Sequence, residues 1–157
     1  MPQINKGGKY IFGWSPISED LYIKIPDEVV QEYDLLKEGK LILISGSKTS
    51  GGFVVSRLGL IKQSIMKGLI IAYPDIADYS LPEGKCVKYK GRHYCWINIR
   101  SDGILKLHEE TADCFDVKER DKLLSIRGSN IGFVLAVKGP IIESANNYDG
   151  IIEEYHP

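Results

Sequence analysis

Residues 14–47 read WSPISEDLYIKIPDEVVQEYDLLKEGKLILISGS, and residues 96–129 read WINIRSDGILKLHEETADCFDVKERDKLLSIRGS. Aligned without a gap at a spacing of 82, the two are identical at 11 of 34 positions, where average amino-acid usage gives about two by chance. A further match follows at a spacing of 80, Gly52-Phe53-Val54 with Gly132-Phe133-Val134. This self-similarity indicates an internal duplication; two unrelated β-rich segments are the alternative.

Each copy predicts the element order β-β-α-β-β. Aromatic residues alternate along the first strand, a polar turn and a short apolar strand follow, and acidic residues then open a helix of about two turns. The predicted first copy has strands at residues 9–17, 21–25, 40–44 and 53–56 and a helix at 27–33. The predicted second copy has strands at residues 93–99, 104–107, 122–126 and 133–137 and a helix at 109–115.

These elements divide the chain into repeat 1 at residues 1–59, a connector at 60–91, repeat 2 at 92–144 and an acidic tail at 145–157. In the connector we expect a short helix at residues 60–66, a loop at 73–84 and a hairpin that turns at Lys90-Gly91. The tail is expected to be a short helix or disordered. Since one small repeat buries little by itself, the two should pack together as an intrachain pseudo-dimer.

Composition restricts the partners and the compartment. The 157 residues carry a net charge of −1, so the whole chain does not favour a polyanion. The first eight residues lack an apolar signal segment, and the longest apolar run, residues 69–73, is far too short to span a membrane. Three cysteines are too few for a disulfide framework. We therefore expect a cytoplasmic protein with no membrane partner.

Positive charge is concentrated in one part of the chain. Residues 84–108 contain six Lys or Arg and one Asp, with Tyr89, Tyr94 and Trp96 among them. Such a segment can neutralise phosphates and release counterions. Alternatively, its lysines are a solvated sheet edge that blocks aggregation. The equivalent Trp14 and Trp96 favour a core or interface role over base stacking.

The chain resembles the AbrB, MazE and SpoVT family of swapped-hairpin DNA-binding domains. The resemblance lies in Ile23-Lys24-Ile25-Pro26 just before the helix, and in the turn and strand of residues 35–44 around Gly39. Copy two has Leu105-Lys106-Leu107-His108 and residues 117–126 at the matching places. Where the family has Gly-Arg at the start of the second strand, this chain has Leu21-Tyr22 and Gly103-Ile104.

The resemblance implies a mostly β fold with short helices, in which hairpins swapped between the two copies form an intrachain barrel. It also implies a transcriptional regulator that contacts DNA, mostly at phosphates, through the first hairpins. The candidate contacts are Lys9, Lys24, Lys88, Lys90, Arg92, Arg100 and Lys106. The alternative function is a degenerate module that mediates protein interaction or homo-oligomerisation without DNA.

Other chemistry has weaker support in the sequence. Cys86, His93, Cys95, His108 and Cys114 suggest zinc, but their spacing matches no paired C-x-x-C pattern. Residues 48–52 are rich in Gly and Ser yet lack the order of a phosphate-binding loop. No Ser or Cys lies in a nucleophile motif. We therefore expect no enzyme activity, no metal and no cofactor.

Overall fold

The computed structural model describes residues 9–157, so the first eight residues of predicted repeat 1 lie outside the described part. The mostly β fold is confirmed: the described chain has a seven-stranded antiparallel sheet, a two-stranded sheet and six short α-helices. Copy one comprises β1 (Ile11–Pro16), β2 (Tyr22–Lys24), α1 (Asp27–Glu32), β3 (Lys40–Ser45) and β4 (Phe53–Ser56). The next segment holds α2 (Leu58–Lys62), a 3₁₀ turn (Ile65–Lys67), α3 (Gly68–Ala72), α4 (Pro74–Ala77) and β5 (Val87–Tyr89). Copy two comprises β6 (Arg92–Asn98), β7 (Ile104–Lys106), α5 (Glu109–Cys114), β8 (Lys122–Ile126) and β9 (Phe133–Ala136), and α6 (Pro140–Asn146) follows.

Three local expectations need correction. The helix expected at residues 60–66 is split into α2 and the 3₁₀ turn, and the loop expected at 73–84 contains the single turn α4. Pro74 suits the first turn of α4, since proline lacks an N–H that would go unpaired there. The helix α6 starts inside the range predicted for repeat 2 rather than in the tail. The hairpin predicted at Lys90-Gly91 is confirmed, because Tyr89 pairs with Arg92 across it.

Helices α1 and α5 end in the same way. After each, an aspartate adopts a left-handed backbone conformation, Asp34 with φ 51° and Asp116 with φ 54°. The following residues, Leu35 and Val117, donate N–H bonds of 3.0 Å back to the carbonyls of Val30 and Ala112. This is the Schellman pattern, which satisfies helix carbonyls and directs the next apolar side chain inward. Leu35 and Val117 are both buried.

The first strand of each copy pairs with the third strand of the other copy. The sheet order is β1-β8-β9-β4-β3-β6-β5, with β1 on β8 and β6 on β3. The last strands, β4 and β9, pair with each other at the centre. The short strands β2 and β7 also pair with each other and form a separate two-stranded ribbon.

The two halves use the same register. Trp14 lies opposite Leu124, and the equivalent Trp96 lies opposite Ile42, which is the counterpart of Leu124. At the centre of the sheet the equivalent residues Val54 and Val134 face each other, as Ile23 and Leu105 do in the ribbon. These reciprocal pairings are those of an interface between two copies related by a two-fold axis.

The sheet is covered on both faces, which explains the continuous apolar run of β3. Its inner face, with Leu41, Leu43, Phe53 and Phe133, packs against α1, α5 and the ribbon in the main core. On the outer face, two covers lie side by side. The connector cover (residues 58–81) packs on the half that contains Ile42, Ile44, Tyr94 and Trp96. The tail cover (residues 140–155) packs on the half that contains Ile11, Trp14, Leu124 and Ile126.

The expected closed barrel is not found among the described residues. The hydrogen-bonded order starts at β1 and ends at β5, and the ribbon that could complete a barrel is a separate sheet. The outer edge of β1 is instead occupied by the tail: the Trp14 N–H donates to the Glu153 carbonyl and the Tyr155 N–H donates to the Trp14 carbonyl, each at 2.8 Å. Within residues 9–157, no helix has the length and apolar character needed to cross a membrane.

Candidate nucleic-acid interface

The seven candidate cations form two groups in the structure. The ribbon group comprises Lys24, Arg100 and Lys106, which lie on β2, on the β6–β7 turn and on β7. The hairpin group comprises Lys9, Lys88, Lys90 and Arg92, which lie just before β1 and on the β5–β6 hairpin. All are exposed except Lys24, which is partly buried. Ile23 and Leu105, which pair at the middle of the ribbon, are buried in the core. Because side chains alternate along a strand, the adjacent Lys24 and Lys106 both lie on the opposite, outer face.

The cations of the ribbon group are largely neutralised by carboxylates. Lys24 Nζ lies 2.9 Å from Asp27 Oδ1 and also donates to the main-chain carbonyl of Asp102. Arg100 Nη2 lies 2.5 Å from Asp102 Oδ2. Desolvation opposes ionisation of Asp102, but hydrogen bonds from the Ile104 N–H and from Arg100 outweigh it and keep the pKa of this carboxyl below its ordinary value. At neutral pH the Arg100–Asp102 ion pair is therefore formed.

The centre of the ribbon lacks the arginines of the resembled family. Tyr22 and Ile104, which occupy the matching positions, lie outward and partly exposed beside Lys106 and Lys24. Lys106 Nζ sits 5.3 Å from the centre of the Tyr22 ring. A cavity of about 370 Å³ next to it is lined by Lys106 together with Glu19, Asp20 and Glu109. This face carries both signs of charge and is not a uniform phosphate-binding surface.

The hairpin group is more strongly cationic. Lys90 and Gly91 both have positive φ, 48° and 80°, as a type I′ two-residue turn requires. Within residues 9–157, Lys88, Lys90 and Arg92 make no ion pair with a carboxylate. The Tyr73 hydroxyl donates to the Lys88 carbonyl at 2.8 Å and ties the hairpin to the connector cover. The result is an anchored hairpin with exposed cations along its tip.

Lys9 and Arg92, which are 83 positions apart in the sequence, contribute to one cavity. Both line a cavity of about 270 Å³ next to the β3–β4 turn, together with the hydroxyls of Ser47 and Ser50. Those two hydroxyls lie 3.1 Å apart. The structure therefore joins Lys9 to the hairpin group, and Lys24 to Arg100 in the ribbon group. Nothing in the spacing of the sequence predicts this division.

The two tryptophans are not available for base stacking. Trp14 is 6% exposed and Trp96 is 7% exposed. The Trp96 indole N–H donates to the Leu81 carbonyl at 2.6 Å, and Lys122 Nζ lies 4.7 Å from the centre of the Trp14 ring. Their positions under the two covers agree with the core or interface role that was expected.

All three cysteines converge, which sequence spacing did not predict. The Cys86 thiol is close enough to those of Cys95 and Cys114 to influence its pKa, and Glu110 is close by. The Cys95 contact and burial raise the pKa of Cys86 well above its ordinary range, and burial together with Cys86 raises the pKa of Cys114 to about 12. In the described part of the chain, no three His, Cys, Asp or Glu side chains are arranged to hold a metal ion. The sequence gives no sign of this cluster beyond the presence of three cysteines.

Comparison with known proteins adds no family assignment. No protein-family model matches the chain, and no curated protein sequence matches it.

Proposed function

We propose that this chain is a DNA-binding regulator built as a tandem, AbrB-like swapped-hairpin unit. The observation that carries the proposal is the exchange of first strands, β1 onto β8 and β6 onto β3, in one register. In the resembled family, two separate chains interleave their hairpins. Here one chain supplies both halves, with a seven-stranded sheet and a ribbon in place of the family's barrel.

A backbone feature also supports the resemblance. Gly103 matches the family's glycine before the second strand and has φ 80°, and its counterpart Leu21 has φ 66°. A left-handed backbone at a leucine costs about 1–2 kcal/mol. That this strained conformation is kept where glycine has been replaced indicates that the turn geometry, rather than the residue type, is the shared feature.

The hairpin group supplies the proposed phosphate contacts. Its four cations are exposed, and no ion pair with a described carboxylate competes for Lys88, Lys90 or Arg92. If all four contact phosphates, affinity for duplex DNA should fall about a hundredfold between 50 and 200 mM salt. Sequence preference should be weak, since the residues at the arginine positions of the family are Tyr22 and Ile104.

Fluorescence anisotropy with a labelled duplex at rising salt tests the proposal. A triple variant, Lys88→Gln, Lys90→Asn and Arg92→Gln, removes three charges, and asparagine tolerates the left-handed turn position. This variant should bind duplex DNA at least tenfold more weakly. The slope of log affinity against log salt concentration should also become shallower, by the amount expected for the loss of about three phosphate contacts. The matched control is the triple variant Lys37→Gln, Lys62→Gln and Lys118→Gln, which changes exposed lysines elsewhere and should bind as the parent does.

No binding at 50 mM salt, binding that is flat against salt, or equal loss in the two triple variants would each refute the DNA proposal.

A second function has an observation in its favour: Lys24 and Arg100 of the ribbon group are paired with Asp27 and Asp102, and the ribbon presents Tyr22 and Ile104. Mixed charge around an aromatic and an aliphatic side chain suits a protein partner better than a phosphate backbone. This function predicts a complex recovered by pull-down after nuclease treatment. The complex should survive Arg92→Glu and be lost with Tyr22→Ala.

A further inference from the structure

The cavity shared by Lys9 and Arg92 lies where the two outer covers meet. A row of directly opposed residues crosses the seven strands on this face: Ile11, Ile126, Val134, Val54, Ile44, Tyr94 and Val87. The tail cover packs on one end of the row and the connector cover on the other. Val54 and Val134, at the centre, are left partly exposed. We call the space above them the seam cavity.

The seam cavity is apolar at its base and cationic at its rim. Val54, Val134 and Ile126 form the sheet surface that lines it. Lys9 and Arg92, both exposed, supply two positive charges, and no carboxylate is among its lining side chains. This contrasts with the cavity beside Lys106, which three carboxylates line. A bound anion would face no opposing negative charge there.

We propose that the seam cavity binds a small organic monocarboxylate with an apolar body. The carboxylate would lie between the Lys9 ammonium and the Arg92 guanidinium, which can hold it through paired N–H donors. The apolar body would cover Val54 and Val134 and displace water from them. This binding does not depend on whether the chain binds DNA.

The size of the cavity limits the ligand. Its volume of about 270 Å³ is just below the roughly 300–1,000 Å³ typical of drug-sized ligands and equals about nine waters at about 30 Å³ each. An acid with about eight to ten non-hydrogen atoms fits that space. Inorganic phosphate would use the rim but leave the valine surface wet, so it should bind more weakly.

The test is a titration of the full chain with octanoate, followed by ¹H–¹⁵N NMR. Saturable shifts are expected around the seam cavity, at the amides of Ser47, Ser50, Val54 and Val134. Octan-1-ol has the same apolar body without charge, and inorganic phosphate has charge without the body. Each should bind at least fivefold more weakly than octanoate. Equal binding of octan-1-ol, or shifts that map elsewhere, would overturn the inference.

Variants separate the cavity from general surface charge. Arg92→Gln and Lys9→Gln should each weaken octanoate binding about three- to tenfold, since each removes one exposed charge contact. Arg100→Gln, an exposed arginine of the ribbon group, is the matched control and should leave it unchanged. Val134→Phe fills the base of the cavity and should block binding while the NMR spectrum elsewhere keeps its dispersion. If Val134→Phe, or both Arg92→Gln and Lys9→Gln, bind octanoate as tightly as the parent chain does, the seam cavity is not the binding site.

The outcome is distinguishable from that of the DNA proposal. If the chain binds octanoate but no duplex, the seam cavity stands and the DNA proposal fails. If it binds duplex but shows no octanoate shifts, the reverse holds. Where both bind, saturating octanoate should weaken the duplex complex, because Arg92 belongs to both sites.

Discussion

The strand serines Ser15 and Ser125 are both fully buried in the sheet. The Ser15 hydroxyl donates to the Lys24 carbonyl at 2.7 Å. The Ser125 hydroxyl is buried and has no hydrogen-bond partner among the described residues. Its counterpart in copy one is Leu43, an apolar residue of the main core. The Ser15 hydroxyl is therefore compensated by a hydrogen bond, whereas burial of the Ser125 hydroxyl carries an uncompensated desolvation cost.

We predict that Ser125→Ala leaves the free energy of unfolding unchanged or raises it by up to about 1 kcal/mol, because it removes an unsatisfied polar group. Ser15→Ala, the matched control, should lower it by about 1 kcal/mol and leave the Lys24 carbonyl unpaired. Urea denaturation followed by circular dichroism measures both. A larger loss in Ser125→Ala than in Ser15→Ala would contradict the assignment of the unpaired hydroxyl.

The thiol cluster predicts a chemical reactivity. Since burial and the Cys86 thiol raise the pKa of Cys114 to about 12, its thiolate is scarce at pH 8. Alkylation by iodoacetamide in the folded protein should be about a hundredfold or more slower than for free cysteine. Mass spectrometry after timed quenching measures the rate. The same protein unfolded in urea is the control and should react at the ordinary rate; rapid labelling of folded Cys114 would contradict the pKa shift.

The sign of the pH effect on stability follows from the same shift. The folded protein holds the Cys114 proton up to a pKa of about 12, whereas the unfolded chain loses it near the ordinary value of 9.0. This contribution to stability is full below about pH 9 and declines as the pH rises towards 12. Cys114→Ala should therefore show a shallower alkaline loss of stability than the parent in parallel urea titrations.

At the scale of elements, the tail acts as an added strand along β1. Residues 153–155 bond both main-chain groups of Trp14, and Gly13 makes that approach possible. Gly13 has φ 151°, and a Cβ on it would lie 2.6 Å from Tyr155 Cε2 and 2.9 Å from the Glu153 carbonyl oxygen. This pairing protects an edge that would otherwise be open to other strands.

Gly13→Ala should lift the tail off β1. The expected result is at least tenfold faster amide hydrogen exchange at Trp14 and Tyr155, with the central strands still protected. Gly39→Ala is the control, because Gly39 also has positive φ, 69°, but nothing lies within 4 Å of an added Cβ. If exchange at Tyr155 is the same in the two variants, the contact at Gly13 does not hold the tail.

The elements themselves were largely predictable from local patterns. Period-two alternation and the acidic helix starts located β1 to β4, α1 and their counterparts, and Lys90-Gly91 located the hairpin. The covers were not predictable. They begin alike, with Gly59, Ile61 and Ser64 matching Gly139, Ile141 and Ser144 at a spacing of 80, and then diverge, yet each packs over one tryptophan. Their apolar side chains pack where they do because of the sheet face beneath them. This is a tertiary contact, which the local periodicity of the sequence does not predict.

The candidate site was predictable only in part, for a similar reason. Local charge counting identified Lys88, Lys90 and Arg92, which are neighbours in sequence and stay together on one hairpin. It could not show that Asp102 neutralises Arg100 or that Lys9 and Arg92 line one cavity. The ion pair depends on the conformation of the β6–β7 turn. The shared cavity depends on how the two copies pack, since Lys9 lies just before β1 and Arg92 begins β6, the equivalent first strands of opposite copies.

For the whole molecule, the exchange makes each copy structurally incomplete without the other. A chain that ends at Gly68 keeps β1 to β4 but lacks β8, on which β1 pairs. We predict that it does not fold as a monomer and that, if it folds, it forms a dimer in which each β1 pairs with the partner's β3. Light scattering after size exclusion, with thermal circular dichroism, measures both properties. A monomeric fragment that melts as cooperatively as the intact chain would contradict this dependence.

The pairing of β1 with β8 also imposes an order on biosynthesis. About 110 residues separate these strands, so at roughly 5–20 residues per second β1 leaves the ribosome roughly 5–20 s before its partner exists. During that interval Ile11, Phe12 and Trp14 have no sheet to join. During synthesis the apolar β1 strand must therefore be shielded by chaperones or by transient collapse of the nascent chain. Slow codons before residue 122 would lengthen the time for which β1 is exposed.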